Sequence, residues 1–66
     1  MIHIKSLREA AGLTQEQLAV KAGVTHATIW RIEHDHYTTL KTAAKVAKAL
    51  GVPLSEILAD EEVSNG

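Results

Sequence analysis

Between residues 22 and 25 the chain reads "AGVT", and a helical pattern stands on either side of it. Before it, Leu18, Ala19 and Ala22 fall on one helical face; after it, Ile29 and Ile32 do the same. Gly23 ends the first of these helices, because glycine takes a left-handed cap at little steric cost. Thr25 opens the second as an N-cap. So few connecting residues cannot turn one helix back alongside the other. They set the second steeply across the first. Everything else in the chain has to pack around that crossed pair.

The remaining patterns are also helical. A first helix is expected over roughly residues 2–11, with Ile4, Leu7 and Ala11 facing inward and Lys5, Arg8 and Glu9 off that stripe. Gly12 ends it. Thr14 then caps the first member of the crossed pair, and Gln17 three residues on completes a capping box. The second member runs to about His34. Thr38 or Thr39 caps a fourth helix with an inner stripe of Leu40, Ala43, Ala47 and Leu50, Val46 beside them, and Lys41, Lys45 and Lys48 on another face. Gly51 closes it, and Pro53 suits the start of a short fifth helix, "LSEIL". The expected fold is all-α: a compact bundle of five helices in one domain over residues 1–58, followed by an acidic, frayed tail over 59–66.

Composition narrows the function. The chain has 66 residues and no cysteine, so neither a disulfide nor a thiolate zinc site can hold it together. Stability must come from helix packing, helped by a dimer or a bound ligand. No stretch approaches the ~18 apolar residues of a membrane span, and the N-terminus lacks the apolar run of an export signal, so a cytoplasmic domain is expected. The formal net charge of −1 hides an asymmetry. Residues 1–50 hold seven basic and four acidic groups, a balance of +3; residues 51–66 hold four acids and no base. A mildly basic body is compatible with phosphate binding.

A crossed helix pair can rest one member on the DNA backbone and insert the other in the major groove. Over "LREAAGLTQEQLAVKAGVTHATIWRIE" and "LKTAAKVAKALGVPLSEIL", roughly residues 4–58, the sequence resembles the Cro and phage-repressor type of helix-turn-helix, also called the xenobiotic-response-element family. Arg8, "GLTQ", "LA", "AGV", "IE" and "ALGV" occur in the family's order. The resemblance implies a lambda-repressor-like five-helix domain that binds palindromic operators in double-stranded DNA as a homodimer, to repress or regulate transcription in a prokaryote or phage. It also implies a structural ion pair between Arg8 and Glu33, since a largely buried carboxylate must be paired and a guanidinium can answer it with two parallel bonds.

Turning about 100° per residue from Ile29 places Ala27, Arg31 and His34 roughly opposite the core, with His26 and Trp30 beside them. The family's base-reading positions fall on His26, Ala27 and Arg31. Arg31 can reach guanine O6 and N7 with two bonds, Ala27 can pack on a thymine methyl, and His26 can donate to a purine N7. A phosphate contact or a solvated side chain is the plainer reading of Arg31. Trp30 has two readings: an apolar contact to DNA, or a cover over the stems of Gln17 and Lys21. Gln15, with Thr14, stands at a helix N-terminus that attracts anions, as does Thr25. The resemblance makes Gln15 a phosphate ligand; the alternative is support for the cap.

The loop "EHDHYTT" follows the recognition helix, and His34, His36, Tyr37 and Thr38 are donors suited to phosphate oxygens. Its two histidines also raise metal binding, but no third ligand follows at a suitable spacing, and no metal or other cofactor is expected. Asp35 stands where many relatives have glycine, and the loop carries no lysine or arginine, so either a modest affinity or a pH-dependent contact through the histidines is expected. An enzyme is not: there is no nucleophile with a poised base and no phosphate-binding glycine loop. An antitoxin, or a protein-interaction module on the same fold, are the other readings. No small-molecule effector domain is expected in a chain of this length. The apolar end around Val52, Leu54 and Leu58 is the expected dimer contact.

Overall fold

The computed structural model describes residues 4–35 and 37–58. Their helices are α1 (Ile4–Ala10), α2 (Gln15–Ala22), α3 (His26–Asp35), α4 (Leu40–Leu50) and α5 (Leu54–Ile57). No strand occurs among the described residues, and no helix is long and apolar enough to cross a membrane. The expected start of α1 near residue 2 and the tail 59–66 lie outside the described residues.

Local chemistry fixes where the helices stop. Gly23 has φ 74°; its N–H reaches Val20 O at 3.2 Å, and the N–H of Val24 reaches Ala19 O at 3.0 Å. That pair of bonds satisfies two carbonyls at the end of α2. Val24, next in sequence, turns back onto the core. The same two bonds recur where Gly12 precedes Leu13 and where Gly51 precedes Val52. A glycine followed by an apolar residue therefore both stops the helix and anchors the exit. At the other end of α2, Thr14 Oγ1 accepts from Gln17 N–H at 3.0 Å, and Gln17 Oε1 accepts from Thr14 N–H at 2.9 Å. Thr39, not Thr38, caps α4 by accepting from Thr42 N–H.

α2 packs against α3 and α4, α5 against α4, and α1 against α3. Ile4, Leu18, Ala19, Ile29, Ile32, Val46, Ala47 and Ile57 form one buried cluster, drawn from all five helices, and Ala43 is also buried. Leu7, Ala22 and Leu50 pack against it half-buried, and two expected inner residues are exposed instead. Ala11 is exposed, because α1 stops at Ala10 and the chain departs from the helical phase that would have carried Ala11 inward. Leu40 is 66% exposed: the buried stripe of α4 starts one turn later, at Ala43, so the first turn lies beyond the packed core. At the far end Ile57 is fully buried, while Val52, Leu54 and Leu58 are half-buried against the core. The apolar end expected to serve a dimer is thus partly used within the domain.

Candidate nucleic-acid interface

α3 buries Ile29 and Ile32 and leaves His26, Ala27, Trp30, Arg31 and His34 exposed. Its N-terminus follows from Thr25, whose Oγ1 accepts from Thr28 N–H at 3.1 Å and stands 2.9 Å from Thr28 Oγ1. The N-terminus of α2 lies beside it, because His26 Nε2 is 2.9 Å from Gln15 Oε1. Thr14, Gln15 and His26 therefore share one edge of the domain with Ala27, Trp30 and Arg31 following along α3.

Beneath that edge stands an ion pair. Arg8 Nε donates to Glu33 Oε2 at 2.7 Å and its second guanidinium arm donates to Oε1 at 3.2 Å. The two side chains are only 11% and 3% exposed. A third bond, from Arg8 Nη1 to Leu13 O at 2.9 Å, ties down the corner between α1 and α2. Burial pushes the Glu33 carboxyl up, but bonds from Arg8 and Gln15, with the charges of Arg8 and Lys5, outweigh it and hold the group below its ordinary value. The bond to Glu33 raises Arg8 further, against the opposing effect of burial. The pair is charged throughout the range where proteins work.

Gln15 has a role that neither sequence reading included. Its Nε2 donates to Glu33 Oε1 at 2.9 Å while its Oε1 faces His26, so it links the buried pair to the exposed face. The partners lie 18 and 11 residues away, and no local pattern announces them. One amide hydrogen of Gln15 is still uncommitted.

Trp30 has a partner that neither of its readings included. It is 49% exposed, and its ring stacks on His34 with centroids 3.8 Å apart and planes inclined by 15°. The i, i+4 spacing on one helix was the available signal. His34 Nδ1 lies 2.9 Å from Trp30 O. A carbonyl only accepts, so Nδ1 carries a proton, and Nε2 of the neutral ring has a lone pair. Thr38 already gives its hydroxyl hydrogen to Thr39 O at 3.2 Å. Tyr37 is 67% exposed. His36 lies outside the described residues. Asp35 is the last residue of α3.

Comparison with known proteins bears on this geometry. A helix-turn-helix family profile matches residues 4–57. An immunity repressor of Bacillus phage phi105 is 42% identical over 59 residues, covering 88% of this chain and 41% of the repressor. An uncharacterized HTH-type transcriptional regulator of Methanocaldococcus jannaschii is 43% identical over 60 residues, covering 89% of this chain and 91% of that protein. The HTH-type transcriptional regulator PuuR of Escherichia coli is 33% identical over 60 residues, 89% of this chain and 32% of its own length. The chain thus spans about two fifths of the phage repressor but nearly all of the archaeal regulator. Five helices crossing as they do here, with a match over most of the sequence, give one conclusion: the chain belongs to the Cro and phage-repressor type of helix-turn-helix family, whose members are DNA-binding regulators and not enzymes.

Proposed function

We propose that the chain represses or regulates transcription by placing α3 in the major groove of an operator. His26, Ala27, Trp30 and Arg31 would face base edges; Thr14, Gln15, Thr25, His34, His36, Tyr37 and Thr38 would face phosphates. One observation carries this reading. A continuous exposed face of α3 lies opposite its two buried isoleucines and adjoins the N-terminus of α2, where unpaired amides favour an anion. The phage immunity repressor and the transcriptional regulators among its relatives support a regulatory role, and a cytoplasmic location is proposed with it.

Two recognition helices about 34 Å apart would read successive major grooves, so a two-fold dimer on a palindrome is the arrangement proposed. The outer parts of Val52, Leu54 and Leu58 are the apolar surface available for it. Selection of bound duplexes from a random pool, followed by footprinting, tests both steps. Two half-sites about one helical turn apart are expected. Saturation of a single isolated half-site by one monomer would rule out the dimer, and selection of no sequence at all would rule out the regulator.

The histidine in the last turn of α3 would add a pH dependence. With Nδ1 committed to Trp30 O, His34 can donate to a phosphate through Nε2 only as the imidazolium. Affinity should therefore rise between pH 8 and pH 6, by similar factors on good and poor sites, with a steeper salt slope at the lower pH. Binding isotherms of the parent and His34→Gln at both pH values check this. Equal pH dependence in the two would remove His34 from the phosphate contacts.

A further inference from the structure

Gln15 stands between two groups that constrain it in opposite ways. An ionised carboxylate only accepts hydrogen bonds, and Glu33 is kept ionised by Arg8. The amide nitrogen of Gln15 must therefore point at Glu33, and its carbonyl oxygen at His26. That oxygen accepts, so the proton of the His26 ring has to sit on Nε2. A neutral imidazole carries one N–H, and Nδ1 is left as a bare acceptor.

We propose that Gln15, oriented by Glu33, holds His26 in its Nε2–H form so that Nδ1 selects, in the strand it faces, a base offering an amino hydrogen in the major groove. The proposal rests on the groove reading above and adds which atom of His26 meets the base and what it demands. Only adenine N6 and cytosine N4 offer such a donor there. His26, Ala27 and Trp30 line one mostly apolar depression, a surface suited to a thymine methyl, so the preferred pair is A·T. Donation to a purine N7, expected from the sequence, then belongs to the doubly protonated ring alone.

That second state makes the choice of base depend on pH. Arg8 and Glu9 of α1 and Glu16 of α2 line the depression that His26 shares with Gln15, and Glu33 is reached through Gln15. Within this setting a second proton converts Nδ1 from acceptor to donor. The ring would then favour the O6 and N7 acceptors of guanine. The His34 contact scales all sites together, whereas this effect changes their ranking, so the two are separable.

The test has two arms on the full chain. Nitrogen-15 NMR of the free protein at pH 8 should show His26 in the Nε2–H form, and both tautomers in Gln15→Ala, whose Glu33 still has Arg8. Sites are then selected with the parent and with His26→Ala, and the position whose preference is lost in the variant is the one His26 faces. Competition there should favour adenine over guanine in the strand His26 faces, roughly two- to tenfold at pH 8, the worth of one hydrogen bond, and the ratio should fall or invert at pH 6. An Nδ1–H ring in the parent, or a guanine preference at pH 8, would overturn the proposal while leaving the groove reading intact. If the NMR result holds and no duplex is bound, the groove reading fails and this inference with it.

Discussion

Arg8→Ala should melt far below the parent, with a loss of about 3–5 kcal/mol, while Lys41→Ala should melt close to it. The reason is the environment of Glu33, whose side chain is 3% exposed and whose two oxygens are held by Arg8 and Gln15. Removing the guanidinium leaves a buried charge with one neutral donor, and breaking such a pair costs far more than the intact pair contributes. The bond to Leu13 O is lost as well. A domain this small rarely holds more than about 3–5 kcal/mol in reserve, so a large share of the variant should be unfolded at room temperature. Lys41 is exposed and provides the control. The pair also sets the behaviour in acid. The Glu33 carboxyl is lowered by folding, so its stabilisation is fully present above the unfolded value, ordinarily near 4.3, and disappears as pH falls through the lower folded value. Thermal melts from pH 6 downward should therefore show the parent losing stability in acid, and Glu33→Gln, less stable at neutral pH, losing less. Equal melting of Arg8→Ala and Lys41→Ala would contradict the role given to the pair.

Arg31→Ala should cost about 1–3 kcal/mol on the preferred duplex and flatten discrimination at one base pair. Arg31 is the one cation among the exposed α3 residues proposed to face base edges, and its fork matches guanine O6 and N7. Tyr37→Phe should instead weaken good and poor sites by similar factors, because phosphates look alike in every sequence. Competition binding on the selected site and its single-pair variants separates the two patterns. A uniform loss with Arg31→Ala would reassign that side chain to the backbone.

Helix ends were legible in the sequence because their causes are local. Thr14 with Gln17, Gly23 with Val24, and Gly51 with Val52 each need only their own neighbours. Inner faces were legible in mid-helix and less so at the edges. Ala11 and Leu40 continue an apolar stripe past the point where the helix or the packed core stops, and only the tertiary arrangement sets that point. The four residues of α5 are too few for periodicity to single out Ile57. The candidate site divides in the same way. The exposed face of α3 follows from the phase of Ile29 and Ile32, whereas the chain of bonds from Arg8 through Glu33 and Gln15 to His26 joins three helices and has no local trace. The stack of Trp30 on His34 had a local signal in its spacing, but helical phase shows only that both residues face outward, not that they face each other.

Most of the positive charge lies away from the proposed reading face. Lys41, Lys45 and Lys48 are exposed on α4, and Lys21, Lys45 and Lys48 line a shallow depression between α2 and α4. These two surfaces make the central claim testable residue by residue. Titration of the nitrogen-15-labelled chain with its selected duplex should move the amides of residues 14–16 and 25–31 first and furthest, with those of residues 41–48 nearly still. Shifts concentrated on the lysine face of α4, with α3 unmoved, would contradict groove reading by α3.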